Sequence, residues 1–119
     1  MSIIKVDSKK DFLNKLIDLT ILLKLPEEFI LRDREKDFLI NTILLNHEGL
    51  SLESKSMVNT ICAQMGIKKV DVYNYRNILK KKGWLIQTID GLQLLSALDF
   101  SSKAIPKVIN FKFTLKIEE

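Results

Sequence analysis

The chain has 119 residues, of which 46% are hydrophobic and 29% charged. This is the size of a single domain, too apolar for a disordered chain and large enough to bury a core. The formal net charge is +4, and it is placed unevenly. Residues 64–82 hold Lys68, Lys69, Arg76, Lys80, Lys81 and Lys82 against Asp71 alone. That stretch carries +5 and leaves −1 for the rest of the chain, a local patch that suits a polyanionic partner.

The elements follow in chain order. Ser2 to Val6 reads as a short strand. Ser8 is placed to cap a helix running to about Lys24, with Asp11 as the acid three residues on and Phe12, Leu13, Leu16, Ile17, Leu19 and Leu23 at helical spacing. Pro26 ends it or opens the next turn. A second helix is expected from Asp33 to Asn46, buried through Phe38, Leu39, Thr42, Ile43 and Leu45, with Asp33 and Glu35 as solvated first-turn acids and Gly49 as the stop. A third runs from about Leu52 to Met65, with Met57, Val58, Ile61, Cys62 and Met65 inward and Gly66 ending it.

A fourth helix is expected from Lys69 to Lys82, with Val72, Tyr75 and Leu79 on one face and Gly83 after it. Trp84–Ile89 reads as a strand, Asp90-Gly91 as a two-residue hairpin turn, and Leu92–Leu95 as the returning strand. Residues 96–100 are ambiguous, a short helical turn being one option. After Pro106, Ile109, Phe111, Phe113, Leu115 and Ile117 alternate with polar residues, which marks a strand. Its apolar span is about 26 Å at roughly 3.3 Å per residue. It either joins a sheet of its own chain, for instance with Ser2 to Val6, or forms an oligomer or partner interface through those five residues. The fold class is mainly α with a small β component, α+β, in one domain.

Catalytic chemistry is not expected. His47, the one histidine, lies at a helix end where the dipole favours it, and Cys62 reads as a buried structural thiol without a disulfide partner. The four glycines are scattered, so no phosphate loop forms. No metal site and no cofactor are expected. Nor is there a signal peptide or an apolar run long enough for a bilayer, which predicts a cytoplasmic protein that does not bind membranes.

The order from Leu52 to Leu95 carries the functional reading. A helix ends at Met65-Gly66-Ile67, a second follows after a short turn, and Lys82-Gly83-Trp84-Leu85 leads into a hairpin. With Ile30–Leu39 as the start of a first core helix, residues 31–95 resemble the winged helix-turn-helix superfamily, residues 1–30 and 96–119 being extensions. The resemblance implies a recognition helix in the major groove of double-stranded DNA. Lys68, Lys69, Tyr73, Asn74, Arg76, Asn77 and Lys80 are its candidate DNA-binding residues, with asparagine reading adenine, arginine reading guanine and lysine or tyrosine holding phosphates. It further implies a dimeric transcriptional regulator, hence a homo-oligomer. The hairpin tip departs from the binding wings of that superfamily, since it carries Asp90 and no base. An acid there repels phosphate and supports an alternative, a non-catalytic structural or assembly protein such as a phage head–tail, neck or packaging component. Such a protein would use the scaffold for protein–protein contacts and reside in the virion.

Overall fold

The computed structural model describes residues 2–5, 8–24, 30–95, 98 and 108–111. Their order is β1 (Ser2–Lys5), α1 (Lys9–Lys24), α2 (Asp33–His47), α3 (Lys55–Met65), α4 (Lys69–Lys81), β2 (Leu85–Thr88), β3 (Gly91–Leu94) and β4 (Val108–Phe111). The fold is mainly helical with a small β component. β1 pairs antiparallel with β4, from Ser2 opposite Phe111 to Lys5 opposite Val108. β2 pairs antiparallel with β3, from Leu85 opposite Leu94 to Thr88 opposite Gly91.

The helices begin and end for local reasons. Ser8 Oγ accepts the Asp11 N–H at 3.0 Å, which caps α1. Ser54 Oγ accepts the Met57 N–H at 3.1 Å and starts α3. That start is three residues later than the sequence suggested. Residues 51–54 close a turn through Ser54 N–H to Ser51 O, and Leu52 leaves the helix to bury its side chain in the core. Gly66 ends α3 in the left-handed conformation (φ 64°), and Ile67 N–H returns to Cys62 O at 3.1 Å. The chain therefore turns into α4 within three residues.

One core joins the helices and the hairpin. Phe12, Leu13 and Ile17 of α1 meet Phe38, Leu39, Ile40 and Ile43 of α2, with Met57, Val58 and Ile61 of α3 and Val72 and Leu79 of α4. Trp84, Leu85, Leu94 and Leu98 close it from the hairpin side. The apolar spacings read from the sequence account for most of this. Tyr75 is half-buried and stacks on Phe38, ring centroids 5.1 Å apart, and Cys62 is half-buried against the core rather than fully enclosed.

Two expectations change. The hairpin loop is Ile89-Asp90, not Asp90-Gly91, because Thr88 lies opposite Gly91. The Thr88 hydroxyl accepts the Asp90 N–H at 3.2 Å and donates to Gly91 O at 3.0 Å, closing the turn with a side chain. Gly91 opens β3 at φ 114°, and a Cβ there would stand 3.3 Å from Glu53 Oε2. Glu35 is not a solvated first-turn acid. It is 6% exposed, accepts the Arg32 N–H at 2.9 Å and pairs with Lys82 Nζ at 2.6 Å. Lys82 also donates to Ile30 O at 2.9 Å, so the end of α4 is tied to the start of α2.

The C-terminal strand takes the within-chain alternative over residues 108–111, where it pairs with β1. Ile109 and Phe111 belong to that pairing. Phe113, Leu115 and Ile117 lie outside the described residues, as do Pro26, Pro106 and most of 96–100. Among the described residues no helix is long and apolar enough to cross a membrane.

Burial pushes the Glu35 carboxyl up, but the hydrogen bond and charge of Lys82, with the Arg32 N–H and charge, outweigh it and hold the group below its ordinary value of 4.5. A depressed folded value means the stabilisation is complete above about 4.5 and is lost as pH falls through the lower folded value. Glu35→Gln is expected to lower stability by about 1–3 kcal/mol at pH 7. The gap to the native protein should shrink once acid has protonated Glu35, as read from urea unfolding across that range.

Candidate nucleic-acid interface

The fourth helix divides its side chains cleanly. At about 100° per residue, Val72, Arg76 and Leu79 fall on one stripe, and all three are buried. Lys69, Val70, Tyr73, Asn74, Asn77, Lys80 and Lys81 are exposed, with Lys69, Tyr73 and Lys80 on the flank beside Arg76 and the others further round the helix. Lys68 caps the helix start, where its N–H donates to Asp71 Oδ2 at 2.9 Å. Asp71 is thereby occupied with the helix terminus and leaves the lysines of the outer face unpaired by it.

Of the seven residues proposed to touch DNA, six are exposed: Lys68, Lys69, Tyr73, Asn74, Asn77 and Lys80. Arg76 is the correction. It is only 8% exposed, and its Nη2 donates to the Leu52 carbonyl. Its guanidinium carbon stands 5.9 Å from the Tyr73 ring centroid. Burial draws its pKa down, against the upward pull of Tyr73 and Glu53. An arginine remains charged even so. Arg76 lies four residues after Val72 and three before Leu79, at the border of the apolar stripe, and the Leu52 carbonyl draws it inward.

Arg76 and Glu53 together fix the junction beneath the face. Arg76 holds the carbonyl of Leu52, and the next residue, Glu53, accepts the Leu92 N–H of β3 through Oε1 at 3.1 Å. The turn before α3 is thus clamped between α4 and the hairpin.

Two shallow clefts flank Tyr73, which is 54% exposed. One, of about 270 Å³, lies towards the hairpin and is lined by Asn77, Lys80 and Gln87 with Glu53 and Arg76. The other, of about 200 Å³, lies towards α3 and is lined by Lys55, Asn59 and Lys69 with Glu53. Lys55 and Asn59 join the face only through the packing of α3 beside α4, and no sequence motif marked them. The hairpin tip is acidic at Asp90 and carries Ile89 wholly in solvent. No protein-family model, no curated protein sequence and no solved structure matches this chain.

Removing Arg76 strands a buried carbonyl and empties packed volume. Arg76→Ala is expected to lower stability by about 2–3 kcal/mol, whereas Lys80→Ala should change it by less than about 0.5 kcal/mol. Urea denaturation of the two variants checks the contrast.

Proposed function

We propose that this chain is a DNA-binding protein of the winged helix-turn-helix type, acting as a dimeric transcriptional regulator with α4 in the major groove. The observation that carries the reading is the outer face of α4. Lys68, Lys69, Lys80 and Lys81 stand free of ion pairs with Glu35 and of the core, while Arg76 and Lys82 are withdrawn into structural contacts. Tyr73, Asn74 and Asn77 lie between these lysines on the same face.

Each residue has a separate task. Lys68, Lys69 and Lys80 neutralise phosphates, with Lys55 contributing from α3. The amides of Asn74 and Asn77 offer a donor and an acceptor side by side, which matches N7 and N6 of adenine. Arginine is the usual reader of guanine, and Arg76 is committed to Leu52. Base reading by this face therefore favours A·T over G·C pairs. Asp90 at the hairpin tip keeps that loop away from a narrow, electronegative minor groove.

A second reading is supported by the hairpin. An acidic tip with an exposed isoleucine suits protein contact, as in a structural or assembly component of a virion. The two readings separate on one titration.

In a mobility-shift series over salt concentration, the native chain is expected to bind duplex DNA with a steep negative slope. The combined Lys68→Ala, Lys69→Ala and Lys80→Ala variant should lose about 2–3 units of that slope. Asn74→Ala with Asn77→Ala should leave the slope in place and flatten the preference between A·T-rich and G·C-rich duplexes. Absence of binding at low salt would leave the assembly reading.

A further inference from the structure

The Leu52 carbonyl holds Arg76 without using it up. A guanidinium has more N–H donors than one carbonyl can take, and the Nη2 bond to Leu52 O is its one hydrogen bond among the described residues. Among those residues every side-chain nitrogen or oxygen closed off from solvent has a partner. The guanidinium nitrogens that Leu52 leaves over therefore touch solvent, although the residue as a whole is only 8% exposed. They open on the cleft of about 270 Å³ between α4 and the hairpin, since Arg76 lines that cleft and not the one towards α3.

The same cleft gathers further donors. Lys80 lines it four residues after Arg76, on the adjoining turn of the same flank, and its ammonium has no partner among the described residues. Gln87 reaches in from β2, and its amide makes only a 3.5 Å contact with the Thr88 carbonyl. Glu53 is the opposing charge. Its Oε1 takes the Leu92 N–H, and no ion pair among the described residues joins it to Arg76 or Lys80. Two cations against one acid leave the cleft a single positive charge.

We propose that this cleft binds a phosphodiester, the singly charged group that each backbone phosphate of a nucleic acid presents, with the Arg76 fork on its free oxygens and Lys80 beside them. Paired guanidinium N–H groups match the spacing of such oxygens, which a lone ammonium does not. The fork is already immobilised, by Leu52 O and by the Tyr73 ring 5.9 Å away, so little side-chain freedom is lost on binding. Glu53 sets the charge of the ligand. A doubly charged terminal phosphate exceeds the one surplus cation and faces the carboxylate as well, whereas a diester is matched. The cleft is shallow, and beyond Tyr73 lie Lys55 and Lys69. A strand with phosphates in series continues onto those lysines, and a small free anion does not.

The polymer in this proposal rests on the function proposed above, while the phosphodiester group does not. The test reads Arg76 directly in the full chain by NMR. Arg32, Arg34 and Arg76 are the arginines of the sequence, so isotope-labelled arginine reports Arg76 with the exposed Arg32 and Arg34 as internal controls. Arg76→Gln, which keeps an amide donor for Leu52 O, assigns its signal. Dimethyl phosphate and duplex DNA are expected to move the Arg76 signal more than the other two. Inorganic phosphate should act more weakly than the diester, and chloride at equal ionic strength should not single Arg76 out. In mobility shifts on duplex DNA, Arg76→Gln is expected to reduce the salt slope by up to about one unit, with far-UV circular dichroism checking its fold. If that variant does not fold, the titration of the native chain decides. A diester effect without DNA binding supports the cleft and removes the regulator. An Arg76 signal moved by neither diester nor DNA overturns the cleft, even where mobility shifts show that DNA is bound. Equal shifts at all the arginines, or tighter binding of inorganic phosphate than of the diester, would also overturn it, the latter assigning the cleft to a free phosphate.

Discussion

The Arg76 guanidinium, drawn out of water and held against the Leu52 carbonyl, sets the rotation of α4 about its own axis. A buried charge is strongly unfavourable unless polar groups surround it. Here it has a carbonyl oxygen, the nearby carboxylate of Glu53 and the face of Tyr73. Arg76 lies at the border of the buried stripe, with Val72 and Leu79 on one side of it and the exposed Lys69, Tyr73 and Lys80 on the other. The same contact holds the turn at Leu52-Glu53, and Glu53 in turn holds β3. Helix, turn and hairpin are therefore fixed relative to one another by two consecutive residues of a loop.

The basic segment consequently carries two kinds of cation. Arg76 and Lys82 neutralise or hydrogen-bond groups within the chain, at the two ends of a line from the hairpin junction to the start of α2. The remaining lysines stay in solvent. A count of charges along residues 64–82 treats all of them alike, whereas the surface potential belongs to the exposed set. This lowers the charge available to a polyanion and leaves it at the two ends of α4, with Lys68 and Lys69 at the first turn, where the helix dipole also favours anions, and Lys80 and Lys81 at the last.

Much of the architecture was legible because it follows from periodicity. The apolar spacings of all four helices, the Ser8 and Gly66 boundaries and the hairpin after Gly83 are local signals, and the structure keeps them. The departures share a cause, which is tertiary contact. Glu35 carries a perfectly good first-turn pattern, yet its burial depends on Lys82, 47 residues away. The helix start at Lys55 moved because the core takes Leu52. The hairpin loop shifted by one residue because Thr88 closes it and Gly91 opens β3 at φ 114°, a conformation that favours glycine. Arg76 belongs with these, since its spacing puts it at the border of the stripe and its burial depends on the Leu52 carbonyl, 24 residues away. Lys55 and Asn59 left no trace in sequence at all, because only the packing of α3 against α4 brings them beside Tyr73.

Glu53 resolves an apparent conflict in the electrostatics. A carboxylate bordering both clefts beside Tyr73 would oppose an anionic partner if it stood free. Its Oε1 is engaged by the Leu92 N–H, and its charge faces Arg76. Glu53 stays exposed, but the lysines that border the two clefts with it, Lys55, Lys69 and Lys80, outnumber it and govern the face. The carboxylate also occupies the β3 edge at Leu92. It thus stands between the basic face of α4 and the hairpin, whose exposed apolar side chains are Ile86 and Ile89. Asp90 lies at the tip of the hairpin, away from the basic face of α4, where it discourages phosphate without opposing the lysines of that helix.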